Sequence, residues 1–446
     1  MRQVHIFFVM VLLSLVGCGA EEDPLAITYH EDLAPVLEKQ CLSCHQTGGI
    51  APFSLQGYDA AKQYASAMRQ SVTSRRMPPQ PLLHDGSCQT FTNARWMSDD
   101  EIRLFGEWMD QGMLEGNPDA VSPTPVEASG LTGEVVSLKT PTYRPKPSSN
   151  SGLNDDYRCF LIEPGFDTDK FLTAFEVEPG NPALVHHVLA FSVAPNQVVD
   201  EKTGVTNRQV IEGLQAESGG TPGWTCYGLS GEGVVPNGLP ASWAPGAGVT
   251  RYPDNTGLRL RAGEWLVVQL HYNLDYAEGE DSTTLRLELK DGVFNEGVNL
   301  LDDGFLQTLS DEVPASLPPG DSSVLFQWEV TFEEVEAFVQ TYYGYDGALP
   351  ELTIFGVYPH MHGLGRSMYV SLEGAGGQTC AVNVTDWDFN WQQFYFYAQP
   401  LVFKPGDAVK VTCEFDTRGQ DTAVLPGLGT ADEMCMLGAF VNVSLF

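Results

Sequence analysis

Basic residues are scarce in this chain: 24 lysines and arginines stand against 58 aspartates and glutamates, for a formal charge of -34. Such an acidic surface argues against nucleic acid, and against the anionic face of a membrane, as the main partner, because the contact would be repulsive. Long apolar runs are missing too. After Cys18 no uninterrupted stretch reaches the length needed to span a bilayer. Strong acidity also accompanies disorder, but a chain that is 43% hydrophobic and 11% aromatic folds. Its length is enough for about three ordinary domains. The acidic excess then reads mostly as a solvated face, and secondarily as one suited to basic redox partners.

The N-terminus carries a targeting signal. A short basic start precedes an apolar run from Ile6 to Val16, too short to cross a membrane and typical of a signal peptide. Leu15-Val16-Gly17-Cys18 resembles a bacterial lipobox, in which residues 1–18 form the leader and Cys18 is lipidated. The expectation is an extracytoplasmic, membrane-anchored bacterial lipoprotein, in the periplasm or on the cell surface. An oxidising compartment of that kind permits disulfides.

Residues 24–118 read as helical. Leu33, Val36 and Leu37 recur at helical spacing just before Cys41. Ser98-Asp99-Asp100-Glu101 is a capping box, followed by an apolar stripe of Ile102, Phe105, Trp108 and Met109 that ends before Gly112. Residues 119–154, rich in Pro, Ser and Gly, read as a linker. Beyond them come short β-branched and aromatic segments, among them Val185–Val193, Trp265–Tyr272, Thr284–Leu289 and Leu352–Val357, punctuated by Gly, Pro and Asn. That texture predicts two antiparallel β-sandwiches of jelly-roll type, 155–290 and 291–446, divided near Asp291. The expected fold class is therefore multidomain: a small all-α domain followed by two sandwiches.

The motif Cys41-Leu42-Ser43-Cys44-His45 makes the small all-α domain, 24–118, read as a cytochrome c domain. Two thiols at this spacing both form thioethers to haem vinyls, and the adjacent histidine is carried under the ring to ligate iron. Met77, in a proline-stiffened loop, is the chosen distal ligand of this haem c, with Met68, Met97 and His84 as competitors. Such a loop methionine resembles that of small bacterial cytochromes c, and His/Met ligation would suit electron transfer.

Five histidines follow the linker: His186, His187, His271, His360 and His362. In an extended segment, His360 and His362 share one face about 7 Å apart, within reach of one metal. His186 and His187 would point to opposite faces of a regular strand. They meet at one metal only if the strand ends or twists there.

Val185-His186-His187-Val188-Leu189, Gln269-Leu270-His271-Tyr272, Pro359-His360-Met361-His362-Gly363 and Asp432-Glu433-Met434-Cys435 occur in that order, together with Tyr157-Arg158-Cys159 and Trp243-Ala244-Pro245-Gly246. From about Asp156 to the C-terminus the chain resembles the copper type II, ascorbate-dependent monooxygenases, the family of peptidylglycine α-hydroxylating monooxygenase and dopamine β-hydroxylase. The resemblance implies two copper ions. His186, His187 and His271 would hold the electron-transfer copper, and His360, His362 and Met434 the catalytic copper that meets O₂. A thioether favours Cu(I), the state that meets O₂. Met436, close by, reads as core. The resemblance also implies pairing of Cys159 with Cys226 and of Cys413 with Cys435. Cys88 and Cys380 are left as free thiols or as a bridge between the cytochrome and the second sandwich.

The implied activity is hydroxylation of a small organic substrate with O₂, with ascorbate or a redox protein as donor. The expected electron route is haem to the three-histidine copper to the His360–His362–Met434 copper. Two departures bear on substrate. Where the peptide-amidating members place an arginine and a tyrosine to anchor a carboxylate, this chain has Tyr358 and Gly438. A glycine-extended peptide is therefore a poor fit. The aromatic-rich stretch Trp387–Tyr397 reads as pocket lining or as core. The alternative function from another class is a non-catalytic electron-transfer or copper-handling lipoprotein using the same ligands.

Overall fold

A computed structural model describes residues 26–442, apart from 50, 80–81, 121–129, 148–153, 228–229, 276, 344–346, 390 and 428–430. The leader and Cys18 lie outside the described residues. Among the described residues no helix is long and apolar enough to cross a membrane.

Strands dominate after residue 133, as the texture predicted. A nine-stranded sheet carries Glu134–Lys139, Thr284–Lys290, Lys170–Glu178, Thr256–Leu260, Asn295–Asp303, Met436–Asn442, Leu352–His360 and Tyr395–Phe403 side by side, with Thr250–Arg251 attached to Lys170–Glu178. A five-stranded sheet packs on its first half, in the order Trp224–Thr225, Asp155–Ile162, Trp265–Asn273, Val185–Val193, Gly238–Trp243. A four-stranded sheet packs on the second half, in the order Val324–Thr331, Ala408–Phe415, Gly365–Gly374, Gly377–Val384. Trp265–Asn273 sits at the centre of the five-stranded sheet and is buried on both faces as far as Tyr272, which is why it reads as a continuous apolar run.

The two sandwiches are not separate bodies. Thr256–Leu260 pairs in parallel with Asn295–Asp303, so one sheet runs through the division expected near Asp291. Aromatic packing reinforces this seam: the Tyr252 ring lies 4.7 Å from Phe440 and 5.8 Å from Phe396, centroid to centroid. The segment read as a linker is also corrected in part. Glu134–Lys139 is an edge strand paired with Thr284–Lys290. Its alternation is short and lies beside the Pro/Ser/Gly-rich composition that dominated the sequence signal.

Glu288, on Thr284–Lys290, is 3% exposed and pairs with Arg251 at 2.8 Å. It also accepts from the backbone of Thr132 at 2.7 Å and the hydroxyl of Thr173 at 3.1 Å. The bond to Arg251, with these others, holds its carboxyl at about 2, below the reference 4.5. A depressed acid stabilises the fold above its unfolded pKa, and that stability is lost as pH falls from 4.5 toward 2. Glu288→Gln should therefore cost about 2–3 kcal/mol at pH 7. In urea titrations the gap between wild type and variant should close as the pH is lowered through that window.

The N-terminal residues form a short π-helical turn, Tyr29–Leu33, continuing into Ala34–Gln40, then the helices Tyr58–Thr73 and Asp99–Asp110. The Ser98 capping box forms as read, with Glu101 closing it. Leu33, Leu37, Met68, Met97, Phe105 and Trp108 make a small separate core. Between the last two helices the chain leaves this core and lies along the second sandwich. Thr92 donates to the Phe396 carbonyl, Ala398 to that of Thr90, and Leu83 to that of Asn383, each at 2.8 Å. Asn93 bonds both Phe394 and Phe396 through its amide. A disulfide joins Cys88 to Cys380 across 292 residues of sequence, which resolves the two cysteines left open.

Candidate metal centres

The His186–His187 strand is irregular where the two imidazoles must converge. Along its pairing with Trp265–Asn273, His271 faces His187 while Tyr272 faces Val185, so His186 is an inserted bulge residue. Nδ1 of His271 then lies 3.1 Å from Nδ1 of His186 and 3.3 Å from Nδ1 of His187. One ligand atom from each lies within 4.8 Å of the others, and all three residues are buried. Burial, followed by mutual repulsion, lowers the pKa of His187 and His271 well below the ordinary histidine value. Neutral imidazole is the form that ligates a metal.

Asp155 supports the triad from outside. Its carboxylate lies 3.2 Å from Nε2 of His271, so the proton sits on Nε2 and the Nδ1 lone pair faces inward. The Tyr157 ring stacks flat on His271, 4.0 Å away at an angle of 8°. The Cys159–Cys226 disulfide ties the neighbouring strand to the edge of the sheet.

His360 ends the strand Leu352–His360 and His362 follows it, their rings 5.2 Å apart and at 88°. Nδ1 of His360 donates to Oε1 of Gln392 at 2.7 Å, and Nδ1 of His362 to the carbonyl of Asp432 at 3.0 Å. Both acceptors are carbonyl oxygens, so each Nδ1 keeps its proton and each Nε2 presents a lone pair. Burial, then repulsion from His362, takes His360 down to about 3.

Met434 is buried beside the fully buried Glu433. Oε2 of Glu433 accepts from the backbone of His362 at 2.9 Å and of Met434 at 3.2 Å, and Oε1 from Leu364 at 2.6 Å. One carboxylate therefore joins the segment carrying the histidines to the segment carrying the methionine. Burial pushes its pKa up to about 7 against the pull of those N–H groups. The Cys413–Cys435 disulfide fixes the next residue. Met436 pairs opposite His360 and packs on the first core.

Aromatic rings face the second site. Trp387 donates to the His362 carbonyl at 3.0 Å, and the Phe389 and His362 rings lie nearly perpendicular, 5.9 Å apart between centroids. Trp387–Tyr397 is thus core on one side and a wall of the site on the other. Tyr358 and Gly438 are cross-strand partners. A Cβ at Gly438 would come 2.9 Å from that of Tyr358, and the Tyr358 hydroxyl donates to Gln392 at 3.3 Å. Repulsion from His360, in the second set, is among the smaller causes that lower the His187 pKa.

In the N-terminal part, Cys41 and Cys44 are the free cysteines among the described residues. Burial pushes Cys41 up to about 12. Nδ1 of His45 donates to the Phe53 carbonyl at 3.1 Å, leaving Nε2 available. Met77 is 40% exposed, whereas Met68 and Met97 are buried in the helical core. His84 uses Nδ1 to accept from the Phe91 backbone at 3.0 Å. Among the described residues no hydrogen bond or ring contact links Met77 with His45. Reading the sequence passed over Asp155, Gln392 and Glu433. Asp155 and Glu433 lie within or beside motifs, but carboxylates are common and only the fold shows which one is buried against a ligand.

Residues 339–440 match the copper type II ascorbate-dependent monooxygenase, C-terminal domain. Relatives include the mouse (Mus musculus) DBH-like monooxygenase protein 2, 25% identical over 59% of this chain and 39% of that protein. The tyramine beta-hydroxylase of Caenorhabditis briggsae is 25% identical over 77% of this chain and 53% of its own length. The dopamine beta-hydroxylase of Canis lupus familiaris is 26% identical over 44% and 30%. The chain thus spans about half or less of these relatives.

Proposed function

We propose that this protein is a copper-dependent monooxygenase that hydroxylates a small organic substrate with O₂, with a fused c-type haem in its electron supply. The convergence of three buried imidazoles, with Nδ1 of His271 within 3.3 Å of Nδ1 of each of the other two, carries the copper reading. Buried, uncharged imidazoles with no competing proton suit copper in both oxidation states. The second set fits a copper that must be reduced: two Nε2 lone pairs with a methionine on the adjoining segment. Bound there, copper supplies one-electron chemistry and O₂ activation.

The chain's own residues do the rest. Asp155, Gln392 and the Asp432 carbonyl fix tautomers, Glu433 holds the methionine segment to the histidine segment, and Trp387 and Phe389 shield the site from water. With Tyr358 and Gly438 packed against each other, no cation stands ready for a substrate carboxylate there. A neutral or aromatic small molecule fits these walls better than a peptide. Ascorbate serves as an external donor.

The haem reading is supported by the two unpaired thiols of Cys41 and Cys44 and by an oriented His45. Met77 remains the proposed distal ligand, since its sulfur is not committed to the core. The three disulfides suit the proposed extracytoplasmic setting, with Cys18 as lipid anchor. The test is substrate-stimulated O₂ uptake by the copper-loaded chain with a hydroxylated product. Peroxide alone, across a broad panel of amines and aromatics, would instead favour a copper-handling or electron-transfer protein. Separately, Cys41→Ala/Cys44→Ala should remove all covalent haem in a pyridine haemochrome assay and leave copper content unchanged.

A further inference from the structure

A c-type haem would be held covalently by Cys41 and Cys44, so the surroundings of these two thiols bear on what it would touch. Cys44 faces the seam between the sandwiches. A Cβ added to Gly246, in the first sandwich, would lie 2.9 Å from Sγ of Cys44 and 2.7 Å from Nη2 of Arg95. Arg95 fills this corner. It donates to the Gly246 carbonyl and, at 3.4 Å, to that of Gln40. Among the described residues no carboxylate pairs with it. Its guanidinium lies over the Trp391 ring, 5.2 Å from the centroid, a contact that stabilises a desolvated cation.

Trp391 is 5% exposed and is followed directly by Gln392, whose Oε1 accepts a hydrogen bond from Nδ1 of His360 at 2.7 Å. A guanidinium, an indole, one peptide link and one hydrogen bond therefore connect the Cys44 thiol with a residue of the His360–His362–Met434 set. The Cys88–Cys380 disulfide and the strand pairing of residues 90–92 hold the contact in place.

We propose that the Arg95–Trp391 contact is the path by which electrons pass from the haem-bearing segment directly to the His360 side, in parallel with or instead of the three-histidine site. This rests on the haem and copper readings above. With both groups bound, the exchange would be of one electron, a ferrous haem held by Cys41 and Cys44 being oxidised and a cupric ion held by the His360 set being reduced, with no proton required. The competing path runs from Gly246 back to Trp243, which pairs with Val188 beside His187.

The experiment uses the full copper-loaded chain under anaerobic conditions. Haem is reduced with substoichiometric dithionite in a stopped-flow cell, and decay of the ferrous band is followed alongside loss of the cupric EPR signal. With the three-histidine copper removed by His271→Ala, electron transfer should persist. In that background Trp391→Leu should slow it by at least about tenfold, with haem content, haem potential and the cupric EPR parameters unchanged, and Trp391→Phe should restore most of the rate. Loss of transfer in His271→Ala alone, or an unchanged rate in Trp391→Leu, overturns the proposal. Absence of haem in the haemochrome assay would overturn it through the haem reading, a result visible before any kinetics.

Discussion

Replacing His271 with alanine should strip copper from the three-histidine site, while the second site keeps its metal. His271 is the hub of the triad, with Nδ1 within 3.3 Å of both partners and Nε2 held by Asp155. Removing it leaves a bulge pair with no third imidazole, so the affinity loss should exceed the roughly 10–100-fold typical of losing an outer partner. Asp155→Asn, which lets the tautomer relax, should fall within that range. Copper stoichiometry after dialysis against a chelator checks both. Retention of full copper by His271→Ala would mean that this cluster is not the metal site.

Glu433→Gln should weaken the second site by about 10–100-fold although the residue touches no metal. Three backbone N–H groups converge on its carboxylate, and an amide offers one accepting oxygen and turns an NH₂ toward a donor. Leaving such a buried donor unsatisfied costs about 1–3 kcal/mol. The visible consequence should be loss of the sulfur shell in the X-ray absorption spectrum of the cuprous protein, with the histidine shell retained. Glu433→Asp, which keeps the charge on a shorter arm, should recover part of it. An intact sulfur shell in Glu433→Gln would show that the disulfide at Cys435 alone positions Met434.

The candidate ligands could be singled out because metal chemistry restricts residue type and spacing, and histidine is rare here. The strands that carry them were legible from β-branched and aromatic runs such as Trp265–Asn273, buried on both faces. His186 and His187 exposed the limit of that reading. Their adjacency argued against a common metal until the bulge opposite His271–Tyr272 placed both on one side, and a bulge depends on the register with another strand. The helix Tyr58–Thr73 lay within the region read as helical but was not singled out, because half of its buried face is alanine, Ala61 and Ala65 beside Met68 and Val72, which gives a faint apolar stripe.

Scarce basic residues, the absence of later apolar runs, the Cys41–His45 motif and the ordered histidine segments belonged to the sequence alone, since each is a matter of residue type and local spacing. The tertiary structure decided the rest. It paired Cys88 with Cys380, ran one sheet through both sandwiches, chose Asp155, Gln392 and Glu433 from a very acidic chain as supports of the two sites, and set Arg95 on Trp391. Each of these joins residues far apart in the chain, and burial and register exist only once the strands have come together.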